Sequence, residues 1–351
     1  MLNPKGVALP SSIQDAELNQ FLKATNITMR VIGCGGAGKN TLTTLRNINI
    51  NGVDLVGMNT DAQDLLRTPA DYKVILGKTL TKGQGAGNDP EVGARAAAES
   101  LPDIKAVVEG ADVVFVTGGL GGGTGTGSIP IVAGEAKKLG ILTIAVVSLP
   151  FLMEGKRRWD NAMKGLSNLE TNCDALVLIP NEKLLKMCQE LPLHLAFQTA
   201  DLVLANAIKG IVELITMPGL VNLDFADLVA VTKDSGVALI GTGESDSDNR
   251  AMESIEMALK NPLLDADLHG ASGALVNVVG GSDLTLSEAQ RIVMRVNDSL
   301  NPDAKVIWGA QVNNDQGKKL RVLVVVTGLK AKAVVDSHAD EQGFVEFDEL
   351  K

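Results

Sequence analysis

The chain alternates between short β-branched runs and longer stretches whose apolar residues recur three and four apart. Residues 29–32, 53–58, 73–76, 113–116, 141–147 and 175–179 are runs of the kind that a parallel sheet buries on both faces. Helix-period segments separate them, bounded by Gly, Pro and Asp. This alternation predicts a doubly wound α/β domain. A long helical pattern follows from Leu195 to Thr216. Beyond it, strand-like runs at 238–241, 273–279, 305–311 and 320–327, with helices near 250–260 and 287–297, predict a smaller α+β unit. The expected layout is an N-terminal arm (1–27), an α/β domain (28–196), a central helix (197–217), an α+β domain (218–330) and a tail (331–351). The arm carries a helical pattern at 15–24, with Leu18, Phe21 and Leu22 on one face. The tail has six acids and no Lys or Arg between Ala333 and Leu350, a composition that predicts disorder.

Composition narrows the function. Aromatic residues are 3% against 45% hydrophobic, so the cores rest on Val, Ile, Leu and Ala, as sheets covered by helices do. A net charge of −10 without basic clusters argues against nucleic-acid binding and against direct attachment to anionic lipid. Cys34, Cys173 and Cys188 form no Cys-x-x-Cys pair and suggest reduced thiols in a cytosol. His194, His269 and His338 lack ligand spacing, so no histidine metal site is expected. The N-terminus does not read as a signal peptide. The apolar run near 141–153 is too short to span a bilayer and contains Pro150.

Two glycine-rich loops carry the candidate chemistry. Residues 115–128 read FVTGGLGGGTGTGS, with seven glycines in the ten positions from Gly118 to Gly127. Such a loop lets backbone N–H groups approach an anion, and a following helix adds its positive end. Pro130 suits a first helical turn, and Gly140 suits the position after the helix. The earlier loop, Gly33 to Asn40, fits two motifs in part. Gly33, Gly35 and Gly38 match a dinucleotide fingerprint, with Asp61 spaced to bind a ribose. Gly33 to Lys39 also matches a phosphate loop, except that Asn40 stands where Ser or Thr would hold magnesium. Neither motif accounts for two such loops in one domain.

GGGTGTG resembles the tubulin signature, and its setting resembles the FtsZ family of cell-division GTPases, the archaeal branch more than the bacterial. The resemblance covers about 28–328. It implies a tubulin/FtsZ-like fold with a Rossmann-type GTP-binding domain, GTP or GDP with Mg2+ as ligands, and both loops on one nucleotide. Gly36, Ala37, Gly38, Lys39 and Asn40 would form the first loop, although the family commonly has Asn where this chain has Lys39. Gly122, Gly123, Thr124, Gly125, Thr126 and Gly127 would form the second. Asp61 would lie near magnesium and phosphate; as a helix cap it would look the same. Gly85, Ala86 and Gly87 would approach the terminal phosphate, where ordinary turn chemistry also favours them. Glu154 and Arg158, four apart on a presumed helix, would reach the sugar and base. Asn181 would meet the guanine edge, Phe197 would stack on the base, and Asp201 would accept from guanine N1 and N2.

The run Asn222-Leu223-Asp224-Phe225-Ala226-Asp227 resembles the family loop that completes hydrolysis in the next subunit. On that resemblance Asn222, Asp224 and Asp227 are catalytic, the partner is another copy of the chain in a head-to-tail filament, and the setting is a cytoplasmic division ring. The C-terminal tail, with residues 343–347 as a short motif that departs from the bacterial tail pattern, would bind a membrane adaptor or division proteins. Two alternatives stay open: a tubulin-like GTPase or scaffold controlling cell shape, and a NAD-dependent Rossmann enzyme, which would need only one glycine loop.

Overall fold

The structure, a computed structural model, describes residues 27–329 apart from 189–191, 218, 222–223 and 265. The expected arm helix, the acidic tail and Asn222 lie outside the described residues. Ten strands join in one sheet: β1 Met29–Cys34, β2 Val53–Asn59, β3 Tyr72–Ile75, β4 Val113–Gly119, β5 Leu142–Leu149, β6 Ala175–Pro180, β7 Gly236–Ser245, β8 Gly273–Gly280, β9 Lys305–Val312 and β10 Leu320–Leu329. Their spatial order is β3-β2-β1-β4-β5-β6-β7-β10-β8-β9. Strands β3 to β6 pair in parallel, whereas β10 runs antiparallel to β7 and β8. The two expected domains therefore share a sheet, sewn together where Ala175–Val177 of β6 pair with Gly236–Ala238 of β7.

Twelve helices cover this sheet among the described residues: α1 Gly35–Asn47, α2 Ala62–Leu66, α3 Lys78–Thr81, α4 Pro90–Glu99, α5 Leu101–Val108, α6 Thr124–Lys138, α7 Lys156–Glu170, α8 Asn181–Cys188, α9 Leu193–Thr216, α10 Phe225–Thr232, α11 Arg250–Leu259 and α12 Leu286–Asn297. On one face Met29, Val31, Phe115 and Ile144 pack with Leu42 and Leu45 of α1 and Ile208 and Ile211 of α9. On the other, Ile32, Val114 and Val116 pack with Ala96, Ile104, Ile129 and Leu166. Burial on both faces is the reason these strands read as unbroken apolar runs.

Helix α9 ties the halves together. Ile208 and Ile211 share a core with Leu323 and Val325 of β10. Gly210 permits the close approach, since a Cβ there would lie 2.3 Å from Leu323 Cδ2. Lys209 Nζ donates to Ile48 O at 2.7 Å, and Gln311 Nε2 donates to Glu213 O at 2.8 Å. By length and composition Leu195–Thr216 is apolar enough to cross a membrane, which makes it a longer apolar segment than the 141–153 run singled out from sequence. Here it is the helix between the two halves, packed against α1, β5 and β8.

Helix α6 differs from its expected start. It begins at Thr124, and Pro130 lies inside it, without an N–H for the helical ladder. The second half of the glycine run is thus helical. Gly127 and Gly93 explain this: a Cβ at Gly127 would lie 2.2 Å from Pro90 O, and one at Gly93 2.2 Å from Gly123 O. These glycines allow α4 to press directly on the first turns of α6. Gly140, with φ 77°, ends the helix as expected.

Candidate functional site

A cavity of about 570 Å³ opens at the carboxyl ends of the parallel strands, lined by Cys34 at the end of β1, Gly119 of β4, Ser148 of β5 and Asn181 after β6. Open α/β sheets bind ligands at this edge. Helices α1 and α6 both start here. Neither has a side-chain cap or an acidic residue in its first turn, whereas α2, α4, α10 and α12 are capped by Asp61, Asp89, Asp224 and Thr285. Two uncapped helix N-termini facing one cavity present unpaired N–H groups and positive dipole ends, which is an anion site.

The two glycine loops interlock to build it. Gly35 has φ 68°, and a Cβ there would lie 3.1 Å from Gly125 N. A Cβ at Gly119 would lie 3.0 Å from Ala37 Cβ. Gly36 and Gly122, by contrast, have room for a Cβ, which would meet only Asp64 Oδ2 at 3.8 Å and Asn88 Oδ1 at 3.9 Å, and both line the cavity. Thr124 Oγ1 lies 2.6 Å from Thr60 Oγ1, so one hydroxyl hydrogen is left to donate elsewhere. Between residues 84 and 89, Gly85 (φ 85°) and Gly87 (φ 59°) flank Ala86, which faces the cavity while they do not.

The far end suits a planar, hydrogen-bonding group. Asn181 Oδ1 is buried without a protein partner, and such an atom calls for a donor from a ligand. Phe197 is 41% exposed and meets Phe151 edge-on, with centroids 5.0 Å apart and planes at 87°, which leaves a ring face free to stack. Asp201 hydrogen-bonds Asn40, and burial pushes its carboxyl up to about 6. Glu154 accepts from Phe151 N at 2.9 Å and is ion-paired with Arg158. These two are not on one helix: Glu154 ends a short turn at 152–154, and Gly155 breaks it from α7.

Of the residues singled out from sequence, Gly36, Ala37, Asn40, Ala86, Gly122, Gly123, Thr124, Gly125, Glu154, Arg158, Asn181, Phe197 and Asp201 come together around this cavity. Others are turned away. Gly38 packs on Gly33, where a Cβ would lie 2.5 Å from the Gly33 carbonyl carbon. Thr126 Oγ1 accepts from Gly121 N at 2.8 Å and braces the loop from inside. Gly127 serves helix packing. Asp61 caps α2, its Oδ1 accepting from Asp64 N at 2.9 Å. Lys39 is ion-paired with Asp64. Asn88 lines the cavity with a left-handed φ of 62°; the sequence signal for it was the Asn-Asp-Pro turn. Cys34 also lines it, but burial pushes its thiol up to about 12, which leaves no thiolate at neutral pH.

Asp224 and Asp227 lie elsewhere. Asp224 is exposed and caps α10, its Oδ1 accepting from Asp227 N at 2.8 Å. Phe225 and Val229 of α10 line a separate cavity with Asp112, Leu142 and Asp174, which stand at the amino ends of β4, β5 and β6. Helix α9 runs from one end to the other: Asp201 faces the first cavity, and Thr216, about 22 Å further along at 1.5 Å per residue, touches Gly52 before β2.

A parallel sheet with two interlocked glycine loops, a polar base-sized end and an α+β extension defines a tubulin-like nucleotide-binding protein. Residues 28–189 match the Tubulin/FtsZ family, GTPase domain, and residues 236–330 match the FtsZ family, C-terminal domain. The chain is a GTPase and belongs to the FtsZ family. It is 53% identical to cell division protein FtsZ 1 of Methanocaldococcus jannaschii, over 92% of this chain and 89% of that protein. It is 52% identical to the protein of the same name from Thermococcus kodakarensis, over 95% of this chain and 89% of that one. The solved empty FtsZ dimer of M. jannaschii superposes with a TM-score of 0.86 at 51% identity, covering 97% of this chain and 96% of that chain. CetZ2 from Haloferax volcanii shares the fold, with a TM-score of 0.77 at 22% identity over 92% and 98%. The NAD-enzyme alternative falls here, since the family is that of a GTPase and Asp61 is occupied as a helix cap.

Proposed function

We propose that this protein binds GTP in the cavity, assembles head-to-tail into filaments and hydrolyses GTP at the contact between subunits, as part of a cytoplasmic cell-division ring. The phosphates lie against Gly36 and Ala37 of the first loop and Gly122 to Gly125 of the second. Guanine lies against Asn181, Phe197 and Asp201. An ionised Asp201 accepts from the N1 and N2 donors of guanine, a pair that adenine lacks. No group of three His, Cys, Asp or Glu that could hold an ion occurs among the described residues. Bound Mg2+ would therefore rest mainly on the phosphates, as a hard cation with few protein ligands does, and would neutralise their charge.

One observation carries the trans reading: Asp224 and Asp227 and the nucleotide-type cavity lie at opposite ends of the sheet. No single copy can bring them together without unfolding α9. A second copy stacked end to end can, and repetition of such a heterologous contact gives an open filament. There the two carboxylates, with Asn222 of the same loop, would position and polarise the attacking water, which is the main task in phosphoryl transfer. The acidic tail is assigned to an adaptor. The names of the relatives at about half identity favour division over cell shape.

Phosphate release per subunit, measured against protein concentration with sedimentation alongside, tests this reading. Specific activity is expected to rise steeply above a threshold at which pelleting begins. A flat specific activity across that range would refute a shared active site.

A further inference from the structure

Lys39 belongs to the first glycine loop but does not line the cavity. Its ammonium is ion-paired with Asp64 of α2. The other oxygen of that carboxylate accepts from Asn59 Nδ2 at 2.9 Å. Both side chains are half-buried, 28% and 26% exposed. Asp64 also stands directly behind the phosphate end: a Cβ on Gly36 would lie 3.8 Å from Asp64 Oδ2, with no nearer atom, and Gly36 forms cavity wall. A carboxylate thus sits a few ångströms behind backbone that faces an anion. Its charge is matched by an ammonium on the very helix whose N-terminus forms that backbone.

We propose that the Lys39–Asp64 pair sets how strongly the site prefers a nucleoside triphosphate to a diphosphate. The proposal rests on the nucleotide reading of the cavity. As a pair the two charges nearly cancel at the phosphates. Removing the ammonium leaves one negative charge there, and removing the carboxylate leaves one positive charge. A triphosphate carries more negative charge than a diphosphate and feels either change more. Partial burial and separations near the Debye length of about 8 Å keep the effect from being screened away.

The pair also ties α1 to α2, and Asp61, the cap of α2, bridges to Gln84 in the loop that carries Ala86. If that mechanical tie were the whole role, breaking it from either side would have the same effect. The electrostatic role predicts opposite effects, so the two separate by sign.

The test is to measure dissociation constants for GDP and for a slowly hydrolysed GTP analogue at fixed Mg2+ and below the assembly threshold. The proteins are the wild type, Lys39→Met, Asp64→Asn and the double variant. The triphosphate-to-diphosphate preference is expected to fall about fivefold in Lys39→Met and to rise about fivefold in Asp64→Asn, the effect of one charge at roughly 8 Å in an effective dielectric of about 40. The double variant should return to within about twofold of wild type, and both shifts should shrink as salt is raised. Asp64→Asn keeps the side-chain volume and carries the test alone should Lys39→Met be unstable. Shifts of the same sign in both single variants, or equal shifts for both nucleotides, overturn the proposal. A wild type that bound neither nucleotide would instead overturn the cavity assignment.

Discussion

Burial pushes the carboxyl of Asp201 up to about 6, partly offset by its hydrogen bond from Asn40. This couples two properties in opposite directions. In the unliganded protein the folded pKa is raised above the ordinary value of 3.8. Protonated Asp201 therefore favours folding below the unfolded pKa, and that contribution is lost as pH rises through 6. The proposed guanine recognition needs the ionised form. GTP affinity is thus expected to fall about tenfold between pH 7.5 and pH 5, following the ionised fraction of one group. Asp201→Asn should flatten that profile, weaken GTP binding at every pH and raise the melting temperature of the unliganded protein at pH 8. Titration calorimetry and thermal melts across pH check it; an Asp201→Asn protein with the wild-type pH profile would show that another group titrates.

Glycines that looked alike in sequence separate into two kinds at the level of elements. Gly127 has no room, because Pro90 O lies 2.2 Å from where its Cβ would be. Gly122 has room for a Cβ, which would meet only Asn88 Oδ1 at an ordinary contact distance of 3.9 Å. Gly127→Ala is expected to destabilise the fold by about 1–3 kcal/mol through overpacking of α4 on α6. Gly122→Ala should change stability by less than about 0.5 kcal/mol while weakening nucleotide binding. Denaturant melts settle it: equal losses in both variants would mean that the loop is uniformly packed. The same contact explains what the sequence could and could not disclose. The central strands were legible because burial on both faces leaves apolar runs, as in 113–116 and 175–179, and the partly exposed β3 and β9 were legible from their β-branched residues. The start of α6 was not, since Gly-Thr-Gly-Thr-Gly has no helical propensity of its own and becomes helical where α4 packs on it. The glycine loops, Asn181, Phe197 and Asp201 were readable as a set through their family pattern. Thr126 turned inward, Asp61 spent on a cap and Lys39 held by Asp64 depend on neighbours that no local pattern encodes.

At the scale of the whole molecule, α9 fixes the separation between the cavity and Asp224. Gly210 locks this helix against Leu323, where a Cβ would lie 2.3 Å from Cδ2, and Lys209 anchors it to Ile48 O. Each subunit therefore offers a pocket at one end and a pair of acids at the other, and a filament junction would join one of each. The consequence is asymmetric and can be measured. On the trans reading, Asp224→Ala leaves a subunit's own pocket intact and removes what it lends to a neighbour. Asp224→Ala protein loaded with γ-labelled GTP should release little labelled phosphate alone. Mixed with excess wild type and excess unlabelled GTP, it should release label at close to the wild-type single-turnover rate, because wild-type acids now face variant pockets. The unlabelled GTP dilutes any label that escapes into wild-type pockets. If the label on the variant stayed intact inside mixed, pelletable filaments, Asp224 would be acting on its own subunit's nucleotide. That outcome would refute the trans reading, which rests on the separation of the two ends of the sheet along α9.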